Sequence, residues 1–105
     1  MILIADSGAS KTDWGCVSRN SDTCIRFTSQ GYNPNYITGP QIVEDILKNK
    51  PAELDQDSVK EIYFYGAGVT PLQYPFMEET LRKVFTKAEH VFIAMDTLAS
   101  CPSGP

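Results

Sequence analysis

The chain has no long hydrophobic run and no excess of basic residues. Its 105 residues include 9 Lys and Arg against 13 Asp and Glu, for a net charge of −4. A protein that neutralises nucleic-acid phosphates needs the opposite balance, so no nucleic-acid partner is expected. No stretch approaches the ~18 apolar residues of a membrane span, and residues 1–5 lack the basic flank of a signal peptide. We therefore expect a cytoplasmic protein with no membrane partner.

Cysteine is scarce, and its spacing suits neither disulfides nor zinc. The three cysteines, Cys16, Cys24 and Cys101, are odd in number and contain no C-x-x-C pair. This spacing argues against a disulfide framework and against a zinc site. Cys16 and Cys24 lie on neighbouring predicted strands, where we expect both to be small buried apolar side chains.

The hydrophobic pattern predicts one modest α/β domain. Three short strands near residues 2–5, 13–18 and 23–28 form an antiparallel meander. A helix opens at Thr38 and ends before Pro51, and the polar residues 52–59 are predicted to be a surface loop. A strand near residues 62–65, a helix from residue 71 or 72 to 88 and a strand over residues 91–95 follow. The order β-β-β-α-β-α-β predicts a mixed five-stranded sheet with parallel strands joined by crossover helices.

The most informative segment joins the first two strands, where residues 6–13 read Asp-Ser-Gly-Ala-Ser-Lys-Thr-Asp. Asp6 offers carboxylate oxygens to Mg²⁺ or to its bound waters. Gly8 lets the backbone approach a phosphate without a Cβ in the way. Backbone N–H groups, the Lys11 ammonium and the Thr12 hydroxyl supply hydrogen-bond donors. The segment therefore has the groups needed to hold a phosphate beside a metal ion.

A P-loop is excluded as the source of this phosphate chemistry. Aligned on the Lys-Thr pair, the two glycines that a P-loop requires are replaced by Ala5 and Ser10. Trp14, Cys16 and Val17 then favour a strand, whereas a P-loop opens a helix. The segment is therefore a strand–turn–strand loop.

Asp6-x-Gly8-x-x-x-Thr12 on a β-hairpin resembles the first phosphate motif of the actin-like ATPase and sugar-kinase superfamily. The longer string from Asp6 to Trp14 resembles the N-acetylglucosamine kinase and BadF/BadG-type ATPase branch. The resemblance implies a ribonuclease-H-like lobe that uses ATP and Mg²⁺ to phosphorylate N-acetylglucosamine or a related amino sugar. From the residues alone, an ordinary hairpin with an acidic strand end is the alternative.

The resemblance also implies roles for residues in loops that should meet at the carboxyl ends of the strands. The residues implied to bind the ATP phosphates are Asp6, Gly8, Lys11 and Thr12, with Asp6 holding Mg²⁺ through water. The residues implied to bind the sugar are Asn33, Gly66, Gly68 and Asp96. Asp96 would also be the catalytic residue that accepts the proton of the attacking hydroxyl.

Each of these roles has a structural alternative. Asp96 is equally suited to cap a following helix, and Asn33 is a common turn residue. Gly66 and Gly68 suit a close strand-to-helix turn for steric reasons alone. Lys11 is as readily a solvated loop lysine as a phosphate contact.

The resemblance covers residues 1–99 and only the first of the family's two lobes. Residues 100–105 contain Pro102 and Pro105 and are expected to be an irregular tail. We expect the chain alone to be inactive, and to pair with a missing C-terminal lobe or to self-associate through exposed apolar surface. The alternatives are a BadF-type ATPase lobe, which the cysteine spacing disfavours, and a truncated non-catalytic remnant or binding module.

Overall fold

The computed structural model describes residues 1–8, 10–18, 24–33, 35–66 and 69–95. The elements within these residues confirm the order predicted from the sequence. They are β1 (Ile2–Ser7), β2 (Lys11–Val17), β3 (Cys24–Gln30), α1 (Gly39–Asn49), β4 (Glu61–Gly66), α2 (Tyr74–Val84) and β5 (His90–Met95), with short 3₁₀ turns at Gln56–Ser58 and Pro71–Gln73.

The strands form one mixed sheet in the order β3-β2-β1-β4-β5. The first three strands are antiparallel neighbours, whereas β4 and β5 run parallel to β1. This is the ribonuclease-H-like arrangement expected above. The register aligns Ser7, Gly66 and Met95 across the three parallel strands. The carboxyl ends of β1, β4 and β5 therefore lie together, and we call this the loop end of the sheet.

One face of the sheet is covered by the two helices and forms the core. Buried apolar residues of β1, β2, β4, α1 and α2 belong to a single apolar cluster, which includes Leu3, Trp14, Phe64, Ile46 and Leu81. The opposite face is open, and Ile4 and Phe92 are 44% and 48% exposed on it. Apolar area left in water on that face gives no stabilisation to the isolated chain.

Helix α1 begins where the sequence predicts, because Thr38 closes a capping box. The Thr38 hydroxyl accepts from the Gln41 N–H at 3.4 Å, and Gln41 Oε1 accepts from the Thr38 N–H at 3.0 Å. These two bonds satisfy donors that a helix start leaves unpaired. Pro40 fits the first turn, where no helical N–H bond is lost.

Three expectations from the sequence were wrong in detail. Residues 52–59 are more than a surface loop, because Leu54 and Val59 are fully buried in the core. Helix α2 ends at Val84 rather than at residue 88. Cys24 is exposed, because it lies opposite Val17 on the open face, whereas Cys16 is buried as expected. Within the described residues, no helix is long and apolar enough to cross a membrane.

Candidate functional site

The turn between β1 and β2 is closed by a backbone hydrogen bond from the Gly8 N–H to the Lys11 carbonyl, 2.8 Å long. We call residues 6–8 and 10–13 the Asp6 hairpin. A Cβ added at Gly8 would meet only the Lys11 carbonyl oxygen, at an ordinary 3.5 Å. The packing of the described residues therefore leaves room for a Cβ at this position.

Two carboxylates of the Asp6 hairpin face each other across the strands. Asp6 and Asp13 are direct partners in the β1–β2 register, and both are exposed on the open face. Lys11 Nζ lies 3.7 Å from Asp13 Oδ1. Directly opposed side chains have their Cβ atoms about 4.5–5.5 Å apart, and like charges so placed repel each other. This pair of oxygen donors fits a hydrated Mg²⁺, which binds carboxylates and keeps several waters.

Asp13 had no predicted role, although its position could have been read from the sequence. Side chains alternate between the two faces of a strand. Because Trp14 belongs to the core, Lys11 and Asp13 must point the other way, toward the open face with Asp6. The same alternation places Thr12 on the buried face.

Thr12 is indeed fully buried, and its hydroxyl is hydrogen-bonded inside the protein. Thr12 Oγ1 lies 2.8 Å from Ser7 Oγ and 2.9 Å from the Gln30 carbonyl oxygen. Since a carbonyl only accepts, the Thr12 proton goes to Gln30, and the Ser7 hydroxyl donates to Thr12. The predicted contact between this hydroxyl and a phosphate would require one of these bonds to break.

Asn33 lies in a turn that follows β3. Its Oδ1 accepts from the Asn35 N–H at 2.9 Å, and its carbonyl accepts from the Tyr36 N–H at 2.8 Å. The structural alternative for Asn33, that of a turn residue, is therefore confirmed. Asn33 also lines an open pocket of about 520 Å³ between the end of β3 and α1, whose other polar linings include Gln41 and Asp45.

Gly66 is the last residue of β4 and lies beside Ser7 in the sheet. A Cβ at Gly66 would come within 2.7 Å of both Phe64 Cε1 and Val69 Cγ2. Contacts this short are not tolerated between carbon atoms, so packing alone requires glycine here. Gly68 and Asp96 lie outside the described residues. Met95, which precedes Asp96 in the chain, pairs with Gly66 at the loop end.

Ser7 contacts three separate parts of the protein at the loop end. It pairs with Thr12 in β2 and with Gly66 in β4, and its hydroxyl accepts from the Tyr32 N–H at 3.0 Å. Asp6, Gly8, Lys11 and Thr12 are thus brought to the same end of the sheet as Gly66 and the loop that carries Asn33. Sequence reasoning missed Ser7, because a serine within a loop motif gives no signal of a contact 25 residues away.

The described residues include no group of three or more His, Cys, Asp or Glu side chains arranged to hold a metal ion. Cys16 and Cys24 lie on opposite faces of the sheet and are not placed to bind one iron–sulfur cluster together.

No protein-family model matches this chain, and no curated protein matches it. Among solved structures, it is similar to a candidate N-acetylglucosamine kinase from Porphyromonas gingivalis, with a TM-score of 0.80 and 31% sequence identity. The match covers 92% of this chain and 35% of the other. The chain thus spans about a third of the length of the protein that it matches. Its mixed five-stranded sheet and two helices are therefore those of a sugar-kinase-like lobe.

Proposed function

We propose that the chain forms the N-terminal, phosphate-binding lobe of an ATP-dependent sugar kinase that acts on N-acetylglucosamine or a related amino sugar. The observation that carries this proposal is the similarity to the Porphyromonas gingivalis protein, at 31% identity over 92% of the chain. The position of the Asp6 hairpin supports it, because ligands of open α/β sheets bind beyond the carboxyl ends of the strands.

The Asp6 hairpin is the proposed site for Mg²⁺ and the ATP phosphates. Asp6 would hold the metal through water, with the opposed Asp13 carboxylate beside it. The Gly8 backbone and the Lys11 ammonium, which is exposed, would face the phosphate oxygens. When bound, Mg²⁺ neutralises part of the phosphate charge and orients the group that is transferred.

Asn33, Gly66 and Gly68 are the proposed sugar contacts, and Asp96 is the proposed catalytic base. The attacking sugar hydroxyl would give its proton to the Asp96 carboxylate as its oxygen bonds to the γ-phosphorus and the bond to the ADP oxygen breaks. Support for this role comes from the end of β5 at the loop end, beside Gly66. In a complete two-lobed enzyme, Asp96→Asn should lower turnover strongly with little change in sugar binding.

The test is a titration of the ¹⁵N-labelled chain with Mg·ATP, followed by amide NMR. The Gly8 and Lys11 amides should shift, and the His90 amide, at the opposite end of the sheet, should not. Gly8→Ala should fold normally, since its Cβ has room, but should lose the response. The matched control is Gly15→Ala, whose Cβ would meet nothing within 4 Å. Equal responses from Gly8→Ala and the wild type would remove the Asp6 hairpin as the phosphate site.

A further inference from the structure

We propose that Ser7 is a positioning residue that couples the phosphate site to the sugar-binding loop. The inference rests on the proposed function, because it concerns how the two ligand sites of that kinase lobe are held together. We call residues 31–33 the Tyr32 loop.

The connection is a series of four hydrogen-bonded groups from three parts of the protein. The Tyr32 N–H donates to Ser7 Oγ at 3.0 Å, and Ser7 and Thr12 share a hydrogen bond of 2.8 Å. Thr12 Oγ1 donates to the Gln30 carbonyl at 2.9 Å. Both hydroxyls in this series therefore donate one hydrogen bond and accept another, and each hydrogen bond in such a series strengthens the others. These bonds join both strands of the Asp6 hairpin to the Tyr32 loop and to Gln30, the residue before it.

These hydrogen-bonded groups lie in the protein interior, so water does not replace their hydrogen bonds. Ser7, Thr12 and Tyr32 are all fully buried. If the Ser7 hydroxyl were removed, the Tyr32 N–H would stay in the core without a partner, which is costly. The loop would relieve this cost by moving its backbone toward water. Asn33 is the next residue, so its position would change with the loop.

A second bond fixes the other end of Tyr32. Its hydroxyl donates to Asp45 Oδ2 on α1 at 2.7 Å. The Tyr32 side chain is thus anchored to the helix, whereas its backbone is anchored to the Asp6 hairpin. Of these two anchors, only the backbone anchor joins Tyr32 to the Asp6 hairpin, so the two anchors can be tested separately.

The experiment compares the amide responses of the wild type and three variants to Mg·ATP. Ser7→Ala removes the backbone anchor, whereas Tyr32→Phe removes the contacts of the Tyr32 hydroxyl with Asp45 and Ser29 and leaves the backbone anchor in place. Ile62→Val is the control for lost stability, because Ile62 is fully buried in β4 and takes no part in these hydrogen bonds. Should Ser7→Ala fail to give a folded spectrum, Ser7→Cys takes its place, since a thiol fills the same space but is a weak hydrogen-bond acceptor for the Tyr32 N–H.

In the wild type, Mg·ATP should shift the Gly8 amide and also the Tyr32 and Asn33 amides. In Ser7→Ala, the Gly8 shift should remain, and the Tyr32 and Asn33 shifts should be lost. Hydrogen exchange of the Tyr32 amide should rise about five- to tenfold in the same variant, as expected for one lost hydrogen bond. Tyr32→Phe and Ile62→Val should keep all three shifts. A role limited to stability would lower the melting temperature without separating these responses.

Two results would overturn the coupling and leave the phosphate site intact. One is a wild type in which Gly8 responds while Tyr32 and Asn33 do not. The other is a Ser7→Ala variant whose Tyr32 and Asn33 amides respond as in the wild type. A wild type with no Gly8 response would overturn the proposed function, and the coupling with it.

Discussion

Replacing Gly66 with alanine should destabilise the chain strongly, whatever its ligands. The added Cβ would lie 2.7 Å from Phe64 Cε1 and 2.7 Å from Val69 Cγ2, where carbon atoms prefer about 3.5–4.0 Å. Phe64 and Val69 are themselves 0% and 1% exposed, so neither has free space to move into. Forcing an extra carbon into a packed core costs about 1–3 kcal/mol, and two simultaneous overlaps place Gly66→Ala in the upper part of that range.

Thermal unfolding followed by circular dichroism measures this cost. For a domain of this size, each kcal/mol shifts the melting temperature by roughly 4–8 °C. Gly66→Ala should therefore melt about 10–20 °C below the wild type. Gly15→Ala is the matched control, because its Cβ would meet nothing within 4 Å, and it should melt at or above the wild-type temperature. If the two variants melted together, the steric account of Gly66 would be refuted.

Three further predictions concern the thiols, alkaline pH and the open face. Cys24 is exposed and Cys16 is buried with its thiol pKa raised by burial, so alkylation mapped by peptide mass spectrometry should modify Cys24 first; equal rates would contradict this. Burial, and then the hydrogen bond to Asp45, raise the pKa of the Tyr32 hydroxyl well above its usual 10.0 in the folded protein. The unfolded chain therefore loses this proton at a lower pH than the folded protein does, so the free energy of unfolding falls as pH rises above about 10. Tyr32→Phe should show a shallower alkaline loss in urea titrations, and an identical slope would count against the buried bond. We also propose that the chain self-associates through its open face, where Phe92 is 48% exposed. Phe92→Lys should lower the weight-average mass measured by analytical ultracentrifugation, and a wild type that is already monomeric would refute the proposal.

The strand order and the Asp6 hairpin could be predicted because their signals are local. Apolar runs separated by turn residues mark β1 to β3, and the alternation of strands with helices in the second half implies parallel pairing. The alignment of Ser7 with Gly66 confirms that the loops after β1 and β4 leave the same end of the sheet. The start of α1 at Thr38 could be predicted for the same reason, since the capping residue, the proline and the apolar spacing are close together in the chain.

Two of the remaining features depend on contacts between distant residues, whereas the burial of Thr12 had a local signal. Leu54 and Val59 are isolated apolar side chains in a polar stretch, too few to show a period, and only the assembled core reveals their burial. Thr12 was predicted as a phosphate donor from its place in a motif, although strand alternation from the core residue Trp14 would have indicated a buried side chain. The bond between Ser7 and Tyr32 has no local signal, because turn composition says nothing about which loop a serine will meet.

Gly66 and Asn33 show that a structural role and a ligand role can share one residue. The short contacts of Gly66 and the turn bonds of Asn33 explain both residues without a ligand. The case for a sugar site therefore depends on binding rather than on residue type. Gly8 differs, since nothing among the described residues explains its glycine.

The most direct test of the kinase-lobe account is an amide NMR titration of the chain with N-acetylglucosamine, with glucose as the control sugar. The account predicts shifts at Asn33 and Gly66 that saturate with N-acetylglucosamine and are weaker with glucose, while His90 at the far end of the sheet stays unchanged. A well-dispersed spectrum in which neither Asn33 nor Gly66 responds to either sugar would contradict it.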